Sequence, residues 1–216
     1  TPDHPLCPSA PTLAHRLGAT KAGAFDVNGA CSGGVTALLT ASSLLGTGVF
    51  QRALVVSADL TTKFLDPMDP KARLVFGDGA AALLIDRAEE DGDGWTVLAV
   101  QMGADGRGAS AFHVPAGGAA YPLGLSGHIQ DVAATVRMDG RSIFRFGVER
   151  GARLVEDLLH DAHLTPDQLD WVIPHQANLR IIRAMQDRCP VPEERWIVNI
   201  DRYGNTASAS VMLALA

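Results

Sequence analysis

The apolar positions of this chain change period several times along its length. Short apolar runs stand at 24–27, 52–57, 73–76, 80–85, 95–102, 170–174 and 196–200. Such runs read as strands, and the unbroken interior of 52–57 fits a parallel sheet covered on both faces. Helical spacing appears at 9–17, 32–47, 139–163, 178–188 and from Ala207 onward. Gly18 stops the first of these. In 139–163, Ile143, Phe146, Val148, Leu154, Val155, Leu158 and Leu159 fall near one stripe. Segment 32–47 is apolar on every face, which predicts a helix buried on all sides.

Between these elements, Gly77-Asp78-Gly79 reads as a tight turn, lacking the lysine and spacing of a phosphate-binding loop. Residues 103–136 are rich in Gly, Ala and Pro and read as loops. The charged, glycine-containing stretch 86–94 reads as a boundary between two parts, 1–88 and 94–216. Alternating strands and helices predict a mostly parallel α/β arrangement. One pattern recurs: a strand, a polar or reactive residue beside glycine, then an apolar small-residue helix, at Cys31 and again at Asn205. Two buried helices from two halves predict a five-layer α-β-α-β-α body with the reactive residues where those helices begin.

Composition narrows the function. With 216 residues and 47% hydrophobic positions, the chain can bury a sizeable core. Its net charge is -6 and its basic residues are scattered, which argues against nucleic acid. No apolar run approaches a membrane span and no signal peptide opens the chain, which argues against a membrane. Three irregularly spaced cysteines, Cys7, Cys31 and Cys189, speak against a disulfide framework and for a reducing cytoplasm. The last helical pattern runs uncapped to Ala216, the expectation for a sequence incomplete at its C-terminus.

Cys31 follows a strand-like segment and precedes a helix. Unpaired N–H groups at a helix start favour a thiolate and predict a lowered pKa, hence a nucleophile for acyl transfer. A buried structural cysteine is the bland alternative. His175 follows the apolar run 170–174, at a strand end where open α/β sheets bind ligands. Asn205 lies between another strand and a helix, where it could equally be a helix cap.

Together these residues sit in AFDVNGACSGG around Cys31, VFGDGAAALL from Val75, MDGRSIFRF from Met138, LDWVIPHQANLRII from Leu169 and DRYGNTASAS from Asp201. In that order the stretches resemble the beta-ketoacyl-acyl carrier protein synthase III family of the thiolase superfamily. The resemblance implies a thiolase-like fold, a homodimer and a Cys31–His175–Asn205 triad. Cys31 would accept an acyl group from a coenzyme A or carrier-bound thioester. His175 and Asn205 would stabilise the enolate formed when a malonyl thioester on acyl carrier protein loses carbon dioxide. No metal or redox cofactor is implied. Phe76, Met138 and Phe144 would line the acyl channel, with Gly140 and Asn178 near the pantetheine arm, Ala177 among the substrate-binding positions and Arg180 in the carrier-protein docking region. Cys7 falls near a gate residue reaching the partner's acyl pocket. Family chains extend further at both ends, the C-terminal part carrying a glycine-rich oxyanion loop.

One departure stands out. At Asp69-Pro70-Lys71 the family commonly has Asp-Arg-Gly, so the arginine that stacks on the adenine of coenzyme A is not present. That leaves room for a carrier-bound donor. Three competing readings remain: a same-fold acyltransferase forming an ester or amide with His175 as general base, a Cys-type α/β-hydrolase with a nucleophile elbow at Cys31, and a non-enzymatic scaffold. His160 and His163, without a third clustered ligand, read as solvated surface residues.

Overall fold

The structure, a computed structural model, describes residues 1–4, 6–87, 94–122 and 134–216. Most of the boundary at 86–94, and 123–133 of the loop region, lie outside the described residues. The helices are α1 (Ser9–Arg16), α2 (Gly33–Gly46), α3 (Pro70–Arg73), α4 (Gly140–Asp161), α5 (Leu179–Gln186), α6 (Ile200–Tyr203) and α7 (Ala209–Leu215). The strands are β1 (Arg52–Asp59), β2 (Gly79–Asp86), β3 (Phe112–His113) and β4 (Arg137–Met138).

Each main helix begins where its sequence supplies a cap. Asp139 accepts the Arg141 and Ser142 N–H groups at the start of α4. Asn178 accepts the Arg180 N–H at 2.9 Å at the start of α5. Side-chain oxygens there satisfy donors that have no partner within the helix. The stripe on α4 packs against α5. Val148, Ala152, Ile181, Ile182, Met185, Cys189, Val191 and Trp196 form one buried cluster. Burying each large apolar side chain of this kind contributes roughly 1.5–3 kcal/mol.

The sheets depart from the parallel expectation. β1 and β2 pair antiparallel, with Arg52 opposite Asp86 and Asp59 opposite Gly79. Among the described residues one face of β1 is covered: Val55 and Ser57 are buried, whereas Leu54 and Val56 are exposed. An unbroken apolar run therefore did not mean two covered faces here. Parallel pairing survives as two single bridges, Val172 to Trp196 and Phe76 to Asn205. Segments 24–27 and 95–102 form no ladder among the described residues, because a strand needs a partner as well as a pattern. Likewise, 170–174 and 196–200 meet only at their bridge. The loop region holds a structural pair that its composition hid, β3 with β4. Helix α2 has only Gly33, Gly34 and Leu45 buried, and Val35 is exposed. The expectation of burial on all sides is thus corrected: α2 lies on β1 and α7 with its other flank open.

The two parts of the chain interlock. Helix α7, from the C-terminal part, packs on β1, β2 and α2. Asp59, the last residue of β1, accepts hydrogen bonds from the Ser208 N–H (2.9 Å) and hydroxyl just before α7. Ser208 also lies over the start of α2. A methyl group added at Gly34 would fall 2.4 Å from the Ser208 carbonyl oxygen and 2.9 Å from the Ser57 hydroxyl. Only glycine permits so close an approach.

Candidate active site

Three loops meet where α2, α5 and α7 begin. Cys31 lies in a single 3₁₀ turn, Ala30–Ser32, immediately before α2. The turn is held by the Ser32 N–H and hydroxyl, which both donate to the Gly29 carbonyl. Ala30, just before the thiol, has φ +46°, a sparsely populated conformation for a residue with a side chain. Three residues after Cys31, Gly34 touches Ser208. Ser208 in turn follows Asn205 by three positions.

Asn205 is nearly inaccessible. Its side-chain Oδ1 accepts the Ala207 N–H at 3.0 Å. That bond fixes which way the carboxamide points and turns the NH₂ group toward the His175 loop. There it approaches the Ala177 carbonyl at 3.5 Å, a long and weak contact. The Asn205 backbone is pinned on both sides. Its N–H donates to Val75 (2.7 Å), and its carbonyl accepts from Gly77 (3.0 Å). The residue predicted as a possible helix cap thus makes a local turn, and α7 starts four residues later.

His175 belongs to the same cluster through Ala177, whose N–H donates to the His175 carbonyl at 2.9 Å. The imidazole is half-buried; its Nδ1 is enclosed and has no hydrogen-bond partner among the described residues. Burial holds its pKa down at about 4, so the ring is neutral near pH 7. A neutral imidazole carries one N–H donor and one acceptor. Among the described residues no carboxylate is bonded to it to fix the tautomer, unlike the histidine of a serine-protease triad.

The Cys31 thiol corrects the electrostatic expectation. Burial, followed by the negative charge of Asp59, pushes its pKa up to about 11. Only a hydrogen bond from its own backbone N–H works the other way. A helix start favours a thiolate by a fraction of the cost of desolvating one. Asp59 stays ionised: burial would raise its pKa, but side-chain hydrogen bonds, that of the Ser208 hydroxyl among them, hold it down.

The remaining predicted positions divide. Phe76 bridges Asn205 and stacks on Phe112, ring centroids 5.9 Å apart. Phe112 pairs across β3–β4 with Met138. Phe76 and Met138 are therefore joined, through Phe112, into one apolar wall reaching Asn205. Phe112 was missed because it sits in a segment whose composition reads as loop. Gly140 opens α4, with open space where a side chain would be. Phe144 lies on α4 and lines an open cavity of about 210 Å³ with Arg141, Arg145, Val148, Glu149 and Arg188. Ala177 and Asn178 stand in the His175 loop, and Arg180 is exposed on the first turn of α5. Cys7 is exposed, and all three cysteines are free.

Gln176 also escaped the sequence reading. It is fully buried and every bond it makes is to backbone: Nε2 donates to Pro174 (3.0 Å) and Ile197 (3.1 Å), and Oε1 accepts from Asn199 (3.0 Å). It fastens the His175 loop to the segment that leads into Asn205. Its signal in sequence was its place beside His175. Among the described residues, no cluster of His, Cys, Asp or Glu could hold a metal ion.

Comparison with known proteins decides the family. The family model for 3-oxoacyl-[acyl-carrier-protein] synthase III matches residues 25–106, and the model for the C-terminal part of the same family matches 159–216. The chain belongs to the 3-oxoacyl-acyl carrier protein synthase III family. It is 40% identical over 216 residues to the beta-ketoacyl-[acyl-carrier-protein] synthase III of Synechocystis, covering all of this chain and 64% of that protein. It is 38% identical to a synthase III of Streptomyces coelicolor, again over 64% of the relative. The crystal structure of the 3-oxoacyl-(acyl carrier protein) synthase III of Pseudomonas aeruginosa superposes with a TM-score of 0.88 at 33% identity, over all of this chain and 63% of that one. A priming beta-ketosynthase from a polyketide pathway superposes with a TM-score of 0.86, also at 33% identity, over all of this chain and 62% of that one. The chain thus spans somewhat under two thirds of the length of these relatives and has their thiolase-like α/β fold. The hydrolase reading falls with this assignment.

Proposed function

We propose that this protein transfers an acyl group to Cys31 and then performs a decarboxylative Claisen condensation with a malonyl thioester on an acyl carrier protein. The observation that carries the reading is the contact chain from Gly34, beside Cys31, through Ser208 and Asn205 to Ala177 and His175. That chain runs between the neighbourhoods of three residues distant in sequence, and relatives of the same family are named for this activity.

Cys31 is the nucleophile. Its thiol is protonated at rest, so the proton must leave as sulfur attacks the thioester carbonyl. The backbone N–H of Cys31 is a donor for the oxyanion. The carbon–sulfur bond to the donor breaks, the departing sulfur takes up the proton lost by Cys31 and leaves as the free thiol, and an acyl-enzyme remains. Malonyl thioester then loses carbon dioxide, and the enolate oxygen takes hydrogen bonds from a His175 N–H and the Asn205 NH₂. A neutral imidazole suits this role, since it donates without titrating near pH 7. The enolate carbon attacks the acyl carbonyl, forms the new carbon–carbon bond and expels the Cys31 sulfur. This scheme draws on no metal or redox cofactor.

We further propose that Phe76, Met138 and Phe144, with Phe112, bound the acyl group, that Gly140 and Asn178 face the pantetheine arm, that Ala177 contributes to substrate binding, and that Arg180 meets the acidic carrier protein. A homodimer in the cytoplasm, and a division into halves 1–88 and 94–216, complete the reading. Pro70 in place of the family's usual arginine favours a carrier-bound donor.

Incubating the protein with a panel of acyl thioesters and weighing it intact tests the first step: an acyl mass on Cys31, lost in Cys31→Ala, is expected. Adding malonyl thioester should release carbon dioxide in step with product. A same-fold acyltransferase is favoured by one observation, the unpartnered Nδ1 of a neutral His175, which suits a general base. Ester formation on an added alcohol without carbon dioxide release would establish it instead.

A further inference from the structure

The geometry points to the backbone crossing of Gly77 and Gly204 as the element that positions the Asn205 carboxamide. This inference rests on the condensing reading above for the role of Asn205, and on the structure alone for its placement. Gly77 lies so close under the Asn205 loop that a methyl group there would fall 2.0 Å from the Tyr203 carbonyl oxygen. That oxygen is backbone, so no side-chain rotation relieves the overlap; the loop itself must move. From the opposite side, a methyl group on Gly204 would meet the Val75 carbonyl at 3.0 Å and the Gly77 nitrogen at 3.1 Å. Gly204 has φ +67° and ψ -164°, a region only glycine occupies without strain. The two glycines let the chains approach closely enough for two backbone bonds, Asn205 N–H to Val75 and Gly77 N–H to Asn205. These are the bonds that fix the backbone from which the carboxamide projects. Asp78 braces the turn from below, accepting the Thr62 N–H at 2.9 Å and the Thr62 hydroxyl at 2.6 Å. The turn read from sequence as plain punctuation is therefore a platform. Gly77 touches no reacting atom; it is a positioning residue, and it acts through Asn205.

The consequence is a split between half-reactions. Asn205 serves the enolate and not the first acyl transfer. Displacing it slows carbon dioxide release and spares acylation of Cys31, an outcome that general loss of structure does not produce. The test uses the full chain and four variants. Asn205→Ala should lower malonyl decarboxylation by about 10²–10³-fold, the usual loss for one oxyanion donor. Gly77→Ala should lower it at least tenfold, with the acylation rate within twofold of the parent. Selective ¹⁵N-asparagine labelling reads the side-chain NH₂ signal of Asn205 directly, and Gly77→Ala should displace it. Gly151→Ala on α4, whose added methyl meets the flexible end of the Met185 side chain on α5, controls for packing stress and should leave both half-reactions and the Asn205 signal unchanged.

Parental decarboxylation with an unmoved Asn205 signal in Gly77→Ala overturns the inference. So do equal losses in both half-reactions. Should Gly77→Ala fail to fold, Gly204→Ala is scored by the same criteria. If neither folds, the crossing is a folding determinant and the positioning role is lost. Parental carbon dioxide release in Asn205→Ala would instead end the condensing reading, with the labelled signal still deciding whether Gly77 sets the side chain.

Discussion

At Cys31 two physical effects oppose each other, and burial wins. A thiol with a pKa of about 11 is almost wholly protonated at neutral pH, with a thiolate fraction on the order of 10⁻³ to 10⁻⁴ at pH 7.5. Alkylation by iodoacetamide, followed peptide by peptide, should therefore be slow at Cys31 and accelerate well past pH 9. Asp59 adds to the rise, and Asp59→Asn keeps an oxygen acceptor for Ser208 while removing the charge. That variant should alkylate Cys31 several-fold faster at pH 8; an unchanged rate would leave burial as the sole cause. His175 titrates in the opposite sense. Its folded-state pKa of about 4 lies below the ordinary 6.5, so between these values the unfolded chain holds more protons. Its contribution is complete above pH 6.5 and is lost as pH falls through that window, by roughly 3 kcal/mol. Urea titrations from pH 7 to pH 4 should show that slope, and His175→Phe should flatten it.

Among the elements, helices were more legible than strands, for a physical reason. A helix satisfies its backbone within itself, so helical spacing sufficed to locate α4 and α5, whose caps at Asp139 and Asn178 the structure added. A strand depends on what lies beside it. The runs at 24–27 and 95–102 have the right pattern but no ladder among the described residues, while β3 and β4, two residues each, had almost no pattern to read. The three reactive residues were visible because each stands in a distinctive motif. The rise in the Cys31 pKa was not, since burial and the reach of Asp59 are properties of the folded chain. Gly34 was seen only as part of a glycine-rich stretch, yet it sets the distance between α2 and α7. Gly34→Val should cost about 1–3 kcal/mol by overpacking against Ser208. Ile182→Ala, in the fully buried seam between α4 and α5, should cost about 2–5 kcal/mol. Denaturant unfolding separates these from a surface control such as Arg153→Ala.

For the whole molecule, the sequence suggested two parts, 1–88 and 94–216, and the contacts argue about how independent they are. Helix α7 is the last element of the chain but lies on β1, β2 and α2 from the first part. Asp59 binds Ser208 across the same junction, and Val75 and Gly77 hold Asn205. A junction made of backbone bonds, a carboxylate and close glycine contacts cannot open without uncovering the candidate site. The two parts should therefore unfold together. Trp196 provides the probe, because it is buried in the α4–α5 cluster of the second part, whereas Trp95 and Trp171 are exposed. Its fluorescence should change at the same urea concentration as the far-ultraviolet circular dichroism. More tellingly, Gly34→Val lies in the first part, far from Trp196 in sequence, yet should move the Trp196 transition to lower urea by the same free energy as the global transition. A Trp196 midpoint that ignores the Gly34 substitution would mean that the second part stands alone, and that the active-site junction is only a contact between two independently stable units.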